Sequence, residues 1–301
     1  MRGLLERLAA GERLVGDGAT GTLLLAGGLA PGEPPETINL SRPALVEEIA
    51  RLYLDAGADL LQTNTFGGSP LKLALHGLER ETETLNRAAV EATRRVAGER
   101  AYVAGSCGPT GRLLEPYGDT SPDAMYDSFR RQVTALIAAG VDCVCVETMT
   151  DLAEARLAIR AAKDVAPRIP VLATMTFDPT PRGYFTIMGV SIAAAAAGLA
   201  EAGADVVGSN CGNGIEPMVA IAREFRRHTT LPLLIQPNAG LPRMQGATTV
   251  YDETPAFMAE KARGLIDAGV SVIGGCCGTT PAHIAALRAL VSGGPGGVRS
   301  Q

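Results

Sequence analysis

The sequence predicts a (β/α)8 TIM barrel in a single domain, and three observations carry that expectation. A short repeat comes first. Ala56-Gly57-Ala58-Asp59, Ala139-Gly140-Val141-Asp142, Ala202-Gly203-Ala204-Asp205 and Ala268-Gly269-Val270-Ser271 each close a helical pattern and lead into an apolar run. Glycine suits the left-handed residue that ends a helix, and short continuous apolar runs suit parallel strands covered on both faces. Second, about eight such runs alternate with helical segments, the number a closed barrel needs. Third, polar and Gly-rich residues collect just after the runs, at the strand ends where such barrels place their chemistry. An open doubly wound sheet is the alternative, but no Gly-x-Gly-x-x-Gly fingerprint with a following acidic residue supports it.

In chain order, the first strand is expected at 13–16 and is followed by Asp17-Gly18-Ala19-Thr20-Gly21. A helix at 43–57 leads to a strand at 59–63, whose end carries Thr63-Asn64-Thr65-Phe66-Gly67. A helix at 81–97 leads to a strand at 101–105 and then Ser106-Cys107-Gly108-Pro109-Thr110. A helix at 122–140 leads to a strand at 143–146 and then Glu147-Thr148. Helices at 151–166 and 190–203 flank a strand at 170–174. The strand at 205–208 precedes Cys211, and a helix at 215–228 follows. The strand at 232–236 precedes Asn238, and a helix at 254–268 follows. The strand at 271–274 runs into Cys276-Cys277, and a helix at 281–291 ends the pattern. No linker interrupts 1–291, so this span is expected to be one barrel, with 292–301 a flexible Gly-rich tail.

Composition narrows the function classes. The net charge is −5 and no basic stripe is present, which argues against a nucleic acid or an anionic membrane as partner. The charged start Met1-Arg2-Gly3-Leu4-Leu5-Glu6-Arg7 is helix-like and lacks the apolar core of a signal peptide. No apolar run approaches the roughly 18 residues of a membrane span. A cytoplasmic protein is expected, and its six cysteines read as thiols or ligands rather than a disulfide framework.

The cysteines are the sharpest signal. Adjacent thiols rarely bridge each other without strain. Cys276 and Cys277 sit in Gly274-Gly275-Cys276-Cys277-Gly278-Thr279-Thr280-Pro281, a Gly-rich turn between strand and helix. Cys211, in Gly208-Ser209-Asn210-Cys211-Gly212, has a matching setting after its own strand. Three thiolates with one open position describe a catalytic zinc site rather than a structural one, and thiolates select zinc over magnesium or calcium. A thiol substrate in the open position would be deprotonated near neutral pH and able to attack an electrophilic carbon such as a methyl group. Cys143 and Cys145 alternate within one strand and read as small core residues. Cys107, at a strand end, is open to either role. A redox dithiol lacks a Cys-x-x-Cys motif.

Asp17 and Glu147 stand beside apolar strands. Asp17 can be a turn residue or N-cap in its Gly-rich loop, and Glu147 an ion-pair partner closing the barrel mouth. The functional alternative is that both face a cationic group such as a substrate ammonium. His76 and His228 carry no signal, and a capping or surface role fits His283 better than catalysis.

Asp17-Gly18-Ala19-Thr20-Gly21-Thr22, Gln62-Thr63-Asn64-Thr65-Phe66, Gly108-Pro109-Thr110-Gly111, Glu147-Thr148, Asn210-Cys211, Pro237-Asn238-Ala239-Gly240 and the Cys276-Cys277 motif occur in one order over about 10–291. Together they resemble the homocysteine-binding domain of the zinc-dependent homocysteine S-methyltransferases, with the strongest likeness to the N-terminal domain of the cobalamin-dependent methionine synthases. The resemblance implies a TIM barrel with Cys211, Cys276 and Cys277 as zinc ligands. It implies Asn238 as fourth ligand without substrate, and Asp17 and Glu147 as the carboxylates that hold the homocysteine ammonium. Gly18, Thr63 and Ser106 would line the same pocket.

Two departures stand out. The betaine-using branch builds an aromatic cage; this chain has no Trp, and Gly67 stands where that branch has a Tyr, so betaine is not the expected donor. Tyr184-Phe185-Thr186-Ile187-Met188-Gly189 replaces a more polar stretch and bears on the identity of the thiol or its partner. The expected reaction makes methionine from homocysteine, with methylcobalamin (a corrinoid) carried by a separate protein or module as methyl donor. S-methylmethionine as donor, a different thiol acceptor, or a non-catalytic zinc- and thiol-binding partner of a corrinoid protein are the alternatives.

Overall fold

The computed structural model describes residues 2–30, 32–246 and 248–293; most of the expected Gly-rich tail lies outside the described residues. Eight parallel strands form the centre: β1 Leu14–Val15, β2 Leu60–Gln62, β3 Tyr102–Cys107, β4 Cys143–Met149, β5 Val171–Met175, β6 Val206–Asn210, β7 Leu233–Gln236 and β8 Val272–Ile273. Each pairs with the next from β2 to β8, and β8 returns to β1. The ring closes where Asp59 N donates to Val15 O at 2.7 Å and Asp17 N donates to Leu60 O at 3.0 Å. This is the expected (β/α)8 barrel.

Eight helices surround it: Pro43–Asp55, Thr82–Ala97, Pro122–Ala138, Leu152–Val165, Ile192–Glu201, Ile215–His228, Pro255–Asp267 and Pro281–Ser292. Local chemistry sets their starts. Proline occupies the first turn at 43, 122, 255 and 281, where its missing N–H leaves nothing unpaired. The side chains of Ser121, Asp151, Ser191 and Thr254 accept from backbone N–H groups of the turn they open. The repeat glycines set the ends, with φ of +98° at Gly57, +94° at Gly140, +103° at Gly203 and +75° at Gly269.

The aspartates of the repeat do a second job. Asp59 accepts from Val15 N at 2.9 Å, Asp142 from Val103 N at 2.7 Å and Asp205 from Val171 N at 2.8 Å. Each therefore ties the start of its own strand to the strand before it. Arg288, Arg94 and Lys163 pair with these three carboxylates.

Strand alternation then divides the barrel into a floor and a site. Leu14, Leu60, Tyr102, Ala104, Cys143, Cys145, Leu172, Val206, Leu234 and Val272 form one buried cluster, sealed by Leu4 and Leu8 of the N-terminal helix Leu4–Ala9. Side chains two positions further along the same strands point the same way. Leu60 thus gives way to Gln62, Ala104 to Ser106, Cys145 to Glu147, Leu172 to Thr174 and Leu234 to Gln236. The interior changes from apolar to polar within one residue layer, toward the C-terminal ends of the strands. Val15, Val103, Val144 and Val207 alternate outward into the core beneath the helices.

Candidate active site

Cys211 leaves the end of β6 with φ +61°, a left-handed backbone that is uncommon away from glycine. Its N–H donates to Gln236 O at 3.1 Å, across to β7. Cys276 N donates to Pro237 O at 2.8 Å, and Cys277 O accepts from Ala239 N at 2.9 Å, so the segments after β7 and β8 are bonded together. The result brings the three Sγ atoms within 4.8 Å of one another, with Cys211 and Cys277 3.8 Å apart. Metal–sulfur bonds of about 2.3 Å in a tetrahedron separate their sulfurs by roughly 3.8 Å, so the triad can hold a metal ion. Hydrogen bonds from Cys211 and Cys276 pull the Cys277 thiol well below its ordinary pKa, while the contacts with Cys211 and Cys277 push Cys276 upward. Asn238, bonded through its N–H to Asn213 O at 2.9 Å, has a buried Oδ1 without a hydrogen-bond partner.

Glu147 accepts a short hydrogen bond from Ser106 Oγ. Burial pushes its carboxyl up to about 7 against the opposing bonds from Ser106 and Gln62, and Cys211 adds to the rise. Asp17 is also raised well above the usual carboxylate range, first by burial, with the bond from Gln62 N opposing and Glu147 adding to the rise. Its Oδ2 accepts from Gln62 N at 2.7 Å, but its buried Oδ1 has no partner, and neither has Gln236 Oε1. Unpaired buried acceptors are disfavoured; an ammonium, with three donors and a positive charge, would satisfy them and lower both carboxyl pKa values.

These groups belong to a cavity of about 340 Å³. Gly18, Thr63, Ser106, Glu147 and the three cysteines all line it, together with Gln62 and Gln236. Gly18 permits a close approach: a Cβ there would lie 2.7 Å from Thr279 Oγ1 and 2.9 Å from Tyr53 Cε1. The cavity runs outward past Phe66 to Lys72 and His76. Asp17 and Asn238 are buried but do not form its wall.

Several expectations need correction. Ser106 and Cys107 belong to β3 itself, and Glu147 and Thr148 to β4, because both strands continue past the apolar run into polar residues. Cys107 faces away from the cavity, fully buried, with its Sγ 2.9 Å from Gln132 Oε1. Cys143 and Cys145 are floor residues, as expected. His76 lines the outer cavity, although its sequence context carried no signal. His283 caps its helix through Thr280 and contacts Glu253 O at 2.9 Å; it is buried rather than on the surface. The 184–189 stretch does not line the cavity; Gly183–Phe185 forms a hairpin with Asp178–Thr180. Gln62, Gln236 and Asn210 were missed as site residues. Their signal was a polar residue at the inward phase of an apolar strand.

The family model described as homocysteine S-methyltransferase matches residues 14–291. This chain belongs to the homocysteine S-methyltransferase family. It is 35% identical over 296 residues to the methionine synthase of Mycobacterium tuberculosis, covering 93% of this chain and 24% of that protein. It is 35% identical over 306 residues to the methionine synthase of Mycobacterium leprae, covering 96% and 25%. The chain thus spans about a quarter of the length of these curated relatives. Among solved structures, the metallated form of the homocysteine methyltransferase MmuM from Escherichia coli superposes with a TM-score of 0.78 at 27% identity, covering 94% of this chain and 98% of that one.

Proposed function

We propose that this chain is a zinc-dependent S-methyltransferase that converts homocysteine to methionine, with a methylated corrinoid on a separate protein or module as donor. The observation that carries the reading is the convergence of Cys211, Cys276 and Cys277 on the cavity that Glu147 also lines. Family membership agrees with it.

Cys211, Cys276 and Cys277 would hold the zinc, with Asn238 Oδ1 as a fourth donor when substrate is absent. Bound zinc supplies one thing, a lowered pKa for a thiol entering its open position. Glu147 and Asp17 hold the substrate ammonium, and Gln62 and Gln236 complete its shell. Ser106 fixes the Glu147 carboxylate through its hydroxyl. Gly18 and Thr63 shape the wall against the acceptor's carbon chain. The acceptor sulfur then displaces the donor from the methyl carbon in line, forming the S–C bond as the donor–carbon bond breaks, with inversion at carbon.

Two features bear on the donor. A Tyr of a betaine cage at Gly67 would have to displace the buried Glu36 carboxylate, since a Cβ there would lie 2.9 Å from Glu36 Oε1. Phe66 is the one Phe, Tyr or Trp among the described cavity residues. The exposed apolar residues Tyr117, Ile187, Leu241 and Met244 lie in the segments that follow β3, β5 and β7, at the end where the cavity opens. Such a rim suits a docked protein. A small donor such as S-methylmethionine is the second reading, favoured by the cavity's outward extension to Lys72 and His76. We also propose a cytoplasmic location; no helix among the described residues is long and apolar enough to cross a membrane.

The test is a parallel turnover assay of zinc-loaded protein with methylcobalamin, S-methylmethionine and betaine, with homocysteine and a panel of other thiols as acceptors. Methionine formation from methylcobalamin supports the reading. Activity with betaine alone reverses the donor ranking, and product with other thiols but not homocysteine removes the acceptor assignment.

A further inference from the structure

We infer that Asn210 is a positioning residue that locks the ammonium-binding carboxylate Glu147 and the metal-binding thiols into one fixed relation. The inference rests on the zinc and homocysteine reading given above. Its basis is a pair of backbone outliers. Thr148 has φ +60° and Cys211 has φ +61°, and these are the two non-glycine residues with positive φ among those described. One follows Glu147 and the other follows Asn210. For a β-branched threonine such a backbone is a marked outlier, and it persists only where surrounding contacts impose it.

The Asn210 side chain imposes it. Asn210 Oδ1 accepts from Thr148 N at 2.8 Å, and Asn210 Nδ2 donates to Thr148 Oγ1 at 2.7 Å. This two-point clasp reaches from β6 over β5 to β4, where pairing shifts register between Val146 and Met149. The irregularity contains Glu147, which lines the cavity. Asn210 Oδ1 also accepts from Thr174 Oγ1 at 2.7 Å, on the intervening β5. The remaining Nδ2 hydrogen faces Cys276 Sγ at 3.9 Å. Every donor and acceptor of the amide is therefore engaged. Its orientation is fixed as well, because reversing it would set N–H against the Thr148 N–H. One side chain thus contacts the residue beside Glu147, touches one sulfur, and precedes another in the chain.

The experiment measures two bindings on zinc-loaded protein: homocysteine affinity by calorimetry, and zinc loss to a competing chelator. Asn210→Ala is expected to weaken homocysteine binding about 10-fold and to speed zinc loss by about 10-fold or more, the range for outer partners of metal ligands. Asn210→Asp keeps the oxygen for Thr148 N and Thr174, replaces the N–H to Thr148 Oγ1 by an oxygen that can accept from the Thr148 hydroxyl, and loses the N–H toward Cys276. It is expected to lose zinc faster while homocysteine affinity stays within about threefold. Adding Thr148→Gly to Asn210→Ala should recover more than half of the lost homocysteine affinity, since glycine takes positive φ freely, and leave the zinc defect. A merely structural asparagine gives no such selective rescue. Should Asn210→Ala fail to fold, the Asp variant decides, and equal change or no change in its two readouts overturns the inference. Unaltered binding in Asn210→Ala, or no rescue by glycine, also overturns it. Wild-type protein that holds neither zinc nor homocysteine overturns the functional reading and this inference with it, whereas sound wild-type binding with unaltered variants overturns the inference alone.

Discussion

Cys211 and Cys277 come from positions 66 residues apart, yet their sulfurs stand 3.8 Å from each other. Nothing local to either turn enforces that distance. It follows from the bonds of Cys211 N to Gln236 O and of Ala239 N to Cys277 O, which hang both thiols on the end of β7.

Removing one sulfur should therefore cripple metal binding without unfolding the barrel. Even outer partners of metal ligands are worth about 10–100-fold in affinity, so Cys277→Ala is expected to lose at least about 100-fold. Metal content per chain and chelator competition check this, with circular dichroism to confirm the fold. Retention of stoichiometric, tightly held zinc would falsify the assignment of the triad.

Glu147 gives a pH prediction with opposite signs for stability and for binding. Burial raises its carboxyl from an ordinary 4.5 to about 7, so the folded chain holds this proton more tightly than the unfolded chain. That stabilisation is fully present below the unfolded value and is lost as pH rises through about 7. Metal-free wild type should lose roughly 3 kcal/mol relative to Glu147→Gln across that window. Homocysteine needs the ionised carboxylate, so its affinity should climb over the same interval. Urea titrations and calorimetry at pH 5, 6, 7 and 8 measure both trends, and parallel stability profiles for the two proteins would refute the first.

Gly18 and Gly21 stand three residues apart and should respond differently to alanine. At Gly18 the new Cβ meets Thr279 and Tyr53, and overpacking of this kind costs about 1–3 kcal/mol. At Gly21, in the helix Thr20–Ala26, it meets nothing within 4 Å. Thermal melts are expected to show a drop of several degrees for Gly18→Ala and none for Gly21→Ala. The Gly18 variant should also bind homocysteine more weakly, because that turn lines the cavity.

Asp59 separates stability from function. It bonds Val15 N and pairs with Arg288 at the end of the barrel opposite the site. Asp59→Ala strands a backbone donor and a guanidinium, at a cost of about 2–3 kcal/mol, yet zinc retention should match wild type. Denaturation midpoints and metal analysis on one preparation test the pair of claims. A zinc defect comparable to that of Cys277→Ala would show that the two ends of the barrel are coupled.

The sequence by itself determined the barrel's count and period. Glycines that end helices, prolines that begin them and unbroken apolar runs act within a few residues, so the eight strands and eight helices were legible from local chemistry. Cys276-Cys277 and Cys211 stood out for the same reason, each in a Gly-rich turn after a strand. Tertiary structure alone decided which inward residues meet. It turned Cys107 away from the cavity, buried Asp17 beside Gln62 with one oxygen unpaired, and gave Asn210 its grip on Thr148. Those outcomes depend on strand stagger and ring closure, which join residues tens to hundreds of positions apart. The raised carboxyl of Glu147 belongs to the same class, because desolvation comes from the side chains that closure gathers around a group.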